Sequence, residues 1–146
     1  MALFLSTTIN KIDKKGRVSV PASFRAALQL QDFSGVVLFR SLIHPILEGC
    51  SYDRMVQLSQ HYDNLNFETA AHNNYHSIIF AEAQLLNFDA EGRISIPQDL
   101  LDYANISDQI AFVGRGTTFE LWNPEQVKKH HNDLRQQIKQ RGDQNV

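Results

Sequence analysis

Two arginines stand where the chain's residue types and spacing could do chemistry. Arg17 and Arg93 each end a D-x-x-G-R segment, Asp13-Lys14-Lys15-Gly16-Arg17 and Asp89-Ala90-Glu91-Gly92-Arg93, at an offset of 76 residues. A guanidinium fork matches phosphate oxygens, and it also matches the O6 and N7 acceptors of guanine. Gly16 and Gly92 supply a turn position that can take a positive φ without steric cost. Asp13 and Asp89 can accept turn N–H groups or pair with the arginine four residues on. An intrachain ion pair is therefore the competing role for both arginines. Around Arg17 stand Lys14 and Lys15, with Lys11 on the approach, and such a cluster makes a phosphate clamp. The same slots of the second segment hold Ala90 and Glu91, a poorer fit to a polyanion.

Other chemistry is thinly supplied. His72 and His76 have the i, i+4 spacing of a zinc pair, but no third ligand is placed and no H-E-x-x-H occurs. His130 and His131 are adjacent and diverge on a helix, so solvated helix histidines are expected. His44 precedes Pro45 in a loop. The single cysteine, Cys50, excludes an intrachain disulfide and matches Trp122 of the second half, an apparent core slot. No G-x-S-x-G or phosphate-loop motif is present, and Gly114-Arg115-Gly116 lacks a strand-to-helix context. No enzyme, metal, cofactor or small-molecule substrate is expected.

The elements that must position the arginines come from an internal repeat. Residues 13–21 match residues 89–97 at five of nine positions, with two further Val/Ile exchanges. Phe24 and Leu28 correspond to Leu100 and Ala104, and Leu30 to Ile106. Val36–Phe39 corresponds to Ile110–Val113, and Leu47–Ser51 to Phe119–Asn123 at an offset of 72, which puts about four extra residues in the second loop of the first repeat, around Ile43-His44-Pro45. Each repeat reads as a strand (roughly Thr7–Ile12; Ala83–Phe88), a glycine turn and a short strand with Val18 and Val20, or Ile94 and Ile96, on one face. A Pro-started helix and two more strands follow, closing on N-caps at Ser51 and Asn123. Residues 52–80 look helical in two pieces, the second from near Asn66, and Tyr52, Phe67 and Tyr75 could serve a subunit interface. Val127, Leu134 and Ile138 mark a thin stripe on a last helix, and nothing orders the chain from Gly142 to Val146.

Composition sets the outer bounds. The 146 residues are 42% hydrophobic and 21% charged, enough for one core. The start, Met1 to Leu5, is a poor signal peptide, and no apolar run is long enough to cross a membrane. Formal charge is +3 over residues 1–50, −3 over 51–88, −5 over 89–127 and +3 over 128–146. A polyanion would be drawn to the first segment or the tail.

The tandem D-x-x-G-R-[VI]-S-[VI]-P segments resemble the MraZ family. Ile43-His44-Pro45, Phe112-Val113-Gly114 and Phe119-Glu120-Leu121-Trp122 support the likeness, which extends over residues 1 to about 135. The resemblance implies an α+β fold. Two tandem AbrB-like (swapped-hairpin, double-split β-barrel) repeats at 7–53 and 83–127 would close one pseudo-twofold barrel, with connecting helices at 54–82 and a C-terminal helix and tail at 128–146. It implies a cytoplasmic, nucleoid-associated transcriptional regulator of the bacterial division and cell-wall genes. A ring-shaped homo-oligomer would bind double-stranded DNA at short direct repeats upstream of its own operon. Family contact positions fall on Lys15, Arg17 and Arg93, which with Lys14 form the candidate DNA-binding set. Asp13, Gly16, Asp89 and Gly92 are the candidate turn-building set. Glu91 departs from a basic turn. The alternatives are an antitoxin-type DNA- and toxin-binding protein and a structural ring that binds no DNA.

Overall fold

The computed structural model describes residues 3–64 and 70–142. The expected helix start near Asn66, the interface candidate Phe67 and the chain end beyond Gly142 lie outside the described residues, as does the side chain of His72. Among the described residues, thirteen elements follow the repeat. The first half holds β1 (Thr7–Lys11), β2 (Arg17–Ser19), α1 (Ala22–Leu28), β3 (Gly35–Arg40) and β4 (Leu47–Cys50). Helices α2 (Tyr52–Asn64) and α3 (Ala70–Glu82) come next. The second half repeats the pattern as β5 (Gln84–Asn87), β6 (Arg93–Ser95), α4 (Gln98–Tyr103), β7 (Gln109–Gly114) and β8 (Phe119–Trp122), and α5 (Pro124–Arg141) ends it.

Local chemistry places the boundaries. Pro21 and Pro97 stand at the N-caps of α1 and α4 with extended backbone, so each ends a strand and opens a helix with its fixed φ. The Oδ1 of Asn123 accepts from the N–H groups of Glu125 and Gln126, and Pro124 fills the first turn of α5, where its missing N–H costs nothing. Ser51 Oγ accepts from the Arg54 N–H at 3.0 Å. Gly142 ends α5 in the left-handed region at φ 67°.

The strands form a six-stranded sheet in the order β1-β7-β8-β4-β3-β5 and a separate two-stranded ribbon, β2-β6. Exchanging the repeats maps the sheet order onto its own reverse. The first strand of each repeat has left its own half, β1 pairing antiparallel with β7 and β5 with β3. β4 and β8 meet in the middle. Neither half has its own sheet complete, so the two must fold as one body.

Both faces of the sheet are covered, which explains the continuous apolar runs of β3 and β7. Val36 and Leu38 of β3, with Ile110 and Phe112 of β7, enter the main core beside Val18, Phe24, Ile94 and Leu100. Val37 and Phe39 face the other way and pack with Cys50 and Met55 under α2 and α3. Ala111 and Val113 pack with Trp122 and Val127 under α5.

Three expectations need correction. The four extra residues of the first repeat are not all in the second loop. Six residues join β3 to β4 against four between β7 and β8, and the other two precede β3, where strand pairing has already shifted the offset to 74. Leu30 and Ile106 do not share an environment: Ile106 is buried, whereas Leu30 is 72% exposed. The stripe on α5 is broken. Val127 is buried against Ala111, Val113 and Trp122, but Leu134 and Ile138, further along the helix, are 39% and 41% exposed. Phe4, ahead of the first repeat, joins the core. It is buried against Phe24 and Phe119, and its backbone exchanges hydrogen bonds with Gly116 at 2.7 and 3.0 Å.

Candidate nucleic-acid interface

The two D-x-x-G-R segments form near-identical turns. In the first, Asp13 Oδ1 accepts from the N–H groups of Lys15 and Arg17, both at 2.9 Å, and Oδ2 accepts from Arg17 Nε at 2.7 Å. In the second, Asp89 Oδ1 accepts from Glu91 and Arg93 N–H at 2.9 Å, and Oδ2 from Arg93 Nε at 2.8 Å. Capping and ion pairing, which the sequence posed as alternatives, are done at once by the two oxygens of one carboxylate.

Gly16 and Gly92 take φ values of 78° and 75°. Each turn is also tied to the opposite repeat. The Gly16 carbonyl accepts from Ile96 N–H at 2.8 Å, and the Gly92 carbonyl from Val20 N–H at 3.3 Å. A Cβ on Gly16 would lie 2.5 Å from the Ile96 carbonyl oxygen, whereas on Gly92 it would meet the movable guanidinium of Arg25. Both glycines suffer the strain of positive φ in any substitution, so Gly16→Ala is expected to cost about 1–3 kcal/mol and Gly92→Ala less. Urea unfolding of the two variants side by side measures the difference.

The ribbon brings the arginines together. Arg17 lies opposite Ser95 and Ser19 opposite Arg93, with Val18 opposite Ile94 between them. Residues alternate faces along a strand, and opposed residues share a face. Val18 and Ile94 point into the core, so Arg17, Ser19, Arg93 and Ser95 all leave the outer face. The arginines are diagonal neighbours there, about 7–8 Å apart at the backbone. The charge of Asp13 reaches across to Arg93, which its hydrogen bond to Asp89 and the charges of Asp89, Glu91 and Asp13 hold more firmly protonated.

The turns differ in charge. The first carries three cations against one acid, the second one cation against two acids. Lys14 and Lys15 are exposed and make no ion pair among the described residues. Arg17 spends only Nε on Asp13, whereas Arg93 also gives Nη2 to Glu91 at 3.1 Å. The fork of Arg17 is thus oriented by its carboxylate but, among the described residues, left with both Nη groups to offer. Arg93 is pinned twice.

The Arg17 N–H above all, then the Arg17 guanidinium and the Lys15 N–H, hold the Asp13 carboxyl below its ordinary value of 3.8, against an opposing effect of partial burial. Asp89 is lowered in the same way by Arg93 and Glu91. A carboxyl with a depressed folded pKa contributes stability that is complete above its unfolded value and is lost as pH falls through the folded one. Both turns are expected to loosen below about pH 4. Thermal unfolding between pH 5 and pH 2.5 should drop less steeply for Asp13→Asn with Asp89→Asn than for the wild type.

The remaining candidates fall elsewhere. His130 is not a solvated helix histidine: it stacks on Trp122 at 4.8 Å and meets His44 edge-on at 5.2 Å, so the loop histidine packs against α5. Burial first, then the neighbouring histidines, lower the His130 pKa. Burial pushes the Cys50 thiol up to about 12, as suits a core residue. Tyr52 and Tyr75 are exposed. Among the described residues, no group of three or more His, Cys, Asp or Glu could hold a metal ion, and no helix is long and apolar enough to cross a membrane.

Comparison with known proteins decides the family. The model of the MraZ protein family, described as antitoxin-like, matches residues 3–75 and again 79–144, one match for each half of the pseudo-symmetric sheet. The chain belongs to the MraZ family. It is 40% identical over 132 residues to the transcriptional regulator MraZ of Rickettsia canadensis (strain McKiel), covering 90% of this chain and 89% of that one. It is 41% identical over 131 residues to the transcriptional regulator MraZ of Rickettsia bellii (strain OSU 85-389), covering 89% and 87%. The duplicated D-x-x-G-R turn thus sits in an MraZ chain matched along nearly its whole length.

Proposed function

We propose that this MraZ protein is a DNA-binding transcriptional regulator, acting on the division and cell-wall genes at whose head its family stands. One observation carries the reading: the two turns share a ribbon from which Arg17 and Arg93 leave by the same exposed face, beside Lys14 and Lys15. Lys14, Lys15 and Arg17 make the main contacts, to phosphates and to base edges, and Arg93 a weaker one. The repeats 7–53 and 83–127 act as AbrB-like swapped-hairpin units of one barrel, joined by 54–82 and followed by the tail 128–146. The exchange of β1 and β5 between the halves supports that assignment.

A few cations per subunit bind DNA weakly at cellular salt. A ring of identical copies linking several such sites raises the affinity by avidity. Neighbours related by rotation around a ring match direct repeats, not a dyad. Fluorescence anisotropy tests this, using a labelled duplex from upstream of this reading frame and a scrambled duplex, each over a salt series. The expected result is preference for the upstream duplex, with affinity falling steeply as salt rises. Indifference to both duplexes at low salt would overturn the reading.

A further inference from the structure

Arg25 is not in either D-x-x-G-R segment, yet its guanidinium lies against the second turn. A Cβ built on Gly92 would fall 2.3 Å from Arg25 Nη1 and 2.9 Å from its Cδ. Arg25 belongs to α1 of the first repeat and thus crosses the pseudo-twofold to reach the turn of the other. It forms no ion pair among the described residues, and its Nε is shielded from solvent with no hydrogen-bond partner there. Arg25, Asp32, Phe88, Asp89 and Gly92 line a groove of about 380 Å³ beside the turn. The matching groove beside the first turn, about 510 Å³, has Leu101 where this one has Arg25.

The asymmetry follows the charges. The first turn has Lys14 and Lys15 and needs no help, and its groove slot is the buried Leu101. The second has Ala90 and Glu91, and its groove slot is an arginine. Asp89 forms no ion pair with Arg25 among the described residues; its oxygens accept from the N–H groups of Glu91 and Arg93 and from Arg93 Nε. Asp32, exposed on the groove rim, makes no ion pair among the described residues.

We infer that Arg25 is the phosphate contact of the second turn, supplying through the groove the cation that Ala90 and Glu91 do not. The inference rests on the DNA-binding reading above and adds a residue to it. The guanidinium, unpaired among the described residues, then meets through its Nη groups an acceptor of the kind it lacks in the protein, a phosphate oxygen. Phosphate contacts position the protein and carry no base information, so Arg25 contributes alike to any duplex.

The repeat supplies its own control. Leu fills the equivalent slot at 101, so Arg25→Leu removes the charge while keeping an apolar filling, and Arg25→Lys keeps the charge. The experiment is anisotropy with the upstream and scrambled duplexes over a salt series, alongside thermal unfolding of each variant. Arg25→Leu and Arg25→Gln are expected to weaken binding to both duplexes and to reduce the salt slope of log K by about 0.9 per engaged subunit. Arg25→Lys retains the slope, and Asp32→Asn tightens binding to both duplexes. An unchanged slope in Arg25→Leu or Arg25→Gln overturns the inference. So does a loss of binding that merely follows a loss of thermal stability and is not rescued by Arg25→Lys. If Arg25→Leu does not fold, Arg25→Gln and the exposed Asp32→Asn decide between the same outcomes. Wild-type protein that binds neither duplex overturns the DNA-binding reading, and the wild-type arm alone shows it.

Discussion

Arg17→Ala is expected to weaken binding to the upstream duplex about 5- to 150-fold at about 100 mM salt, and more if several subunits bind together, since one well-placed arginine contact is worth about 1–3 kcal/mol per site. The magnitude rests on how Arg17 is held. Asp13 Oδ2 takes Nε at 2.7 Å, which fixes the plane of the guanidinium, and Asp13 Oδ1 is occupied by two turn N–H groups. The carboxylate is therefore an orienting group, and the Nη edge stays available for a phosphate or a guanine. Arg93→Ala should cost less, because Glu91 already takes Nη2 and turns part of the fork back into the protein. Arg17→Lys should recover charge but not geometry, leaving weak binding with less preference for upstream over scrambled DNA. Anisotropy titrations of the three variants rank these effects, and equal affinity of Arg17→Ala and wild type would remove the first turn from the interface. Glu91→Gln is the complement: it frees Arg93 and should tighten binding.

The largest expected loss of stability is at Phe24. Its ring is buried in α1, where it meets Phe4 edge-on at 5.2 Å, Phe119 at 5.2 Å and Phe112 edge-on at 6.1 Å. These partners come from the N-terminal arm and from both strands of the β7–β8 hairpin, so Phe24 joins the helix of one repeat to the sheet of the other. Phe24→Ala leaves a cavity that three aromatic rings cannot close, at a cost of about 3–5 kcal/mol. For a chain of this size that lowers Tm by roughly 6–20 °C. Calorimetry checks the value. Phe24→Leu, closer in volume and matching Leu100 of the second repeat, should cost well under half as much. A Phe24→Ala loss below about 1 kcal/mol would mean that the cluster repacks freely.

What the sequence determined by itself is local or periodic. The repeat was visible because Asp, Gly, Arg, Ser and Pro recur at the same spacings, and each has a local reason to do so. Glycine takes the positive φ, proline ends the strand, and aspartate caps turn amides four residues or fewer away. The caps at Ser51 and Asn123, the inward faces of α1 and α4 and the buried pair Cys50 and Trp122 follow from period and slot alone. The family was legible for the same reason, since the likeness rests on tandem motifs at a fixed spacing.

Strand partners, side-chain geometry and contacts between distant segments became visible in the tertiary structure alone. The pairing of β1 with β7 and of β5 with β3 has no sequence signal, because antiparallel edges are chemically alike and chain closure selects between them. The pairing of Glu91 with Arg93 needed side-chain geometry. The docking of Phe4 on Phe119 joins segments more than 100 residues apart, and the edge-on packing of His130 against His44 joins a helix to a loop, and the composition of neither announces it. Arg25 is the clearest instance. In the sequence it is one arginine in a short helix, at a slot where the second repeat has Leu101. Only packing across the pseudo-twofold puts its charge against the other repeat's turn, because a side chain's partner is set by what the fold brings within reach and not by its neighbours in the chain.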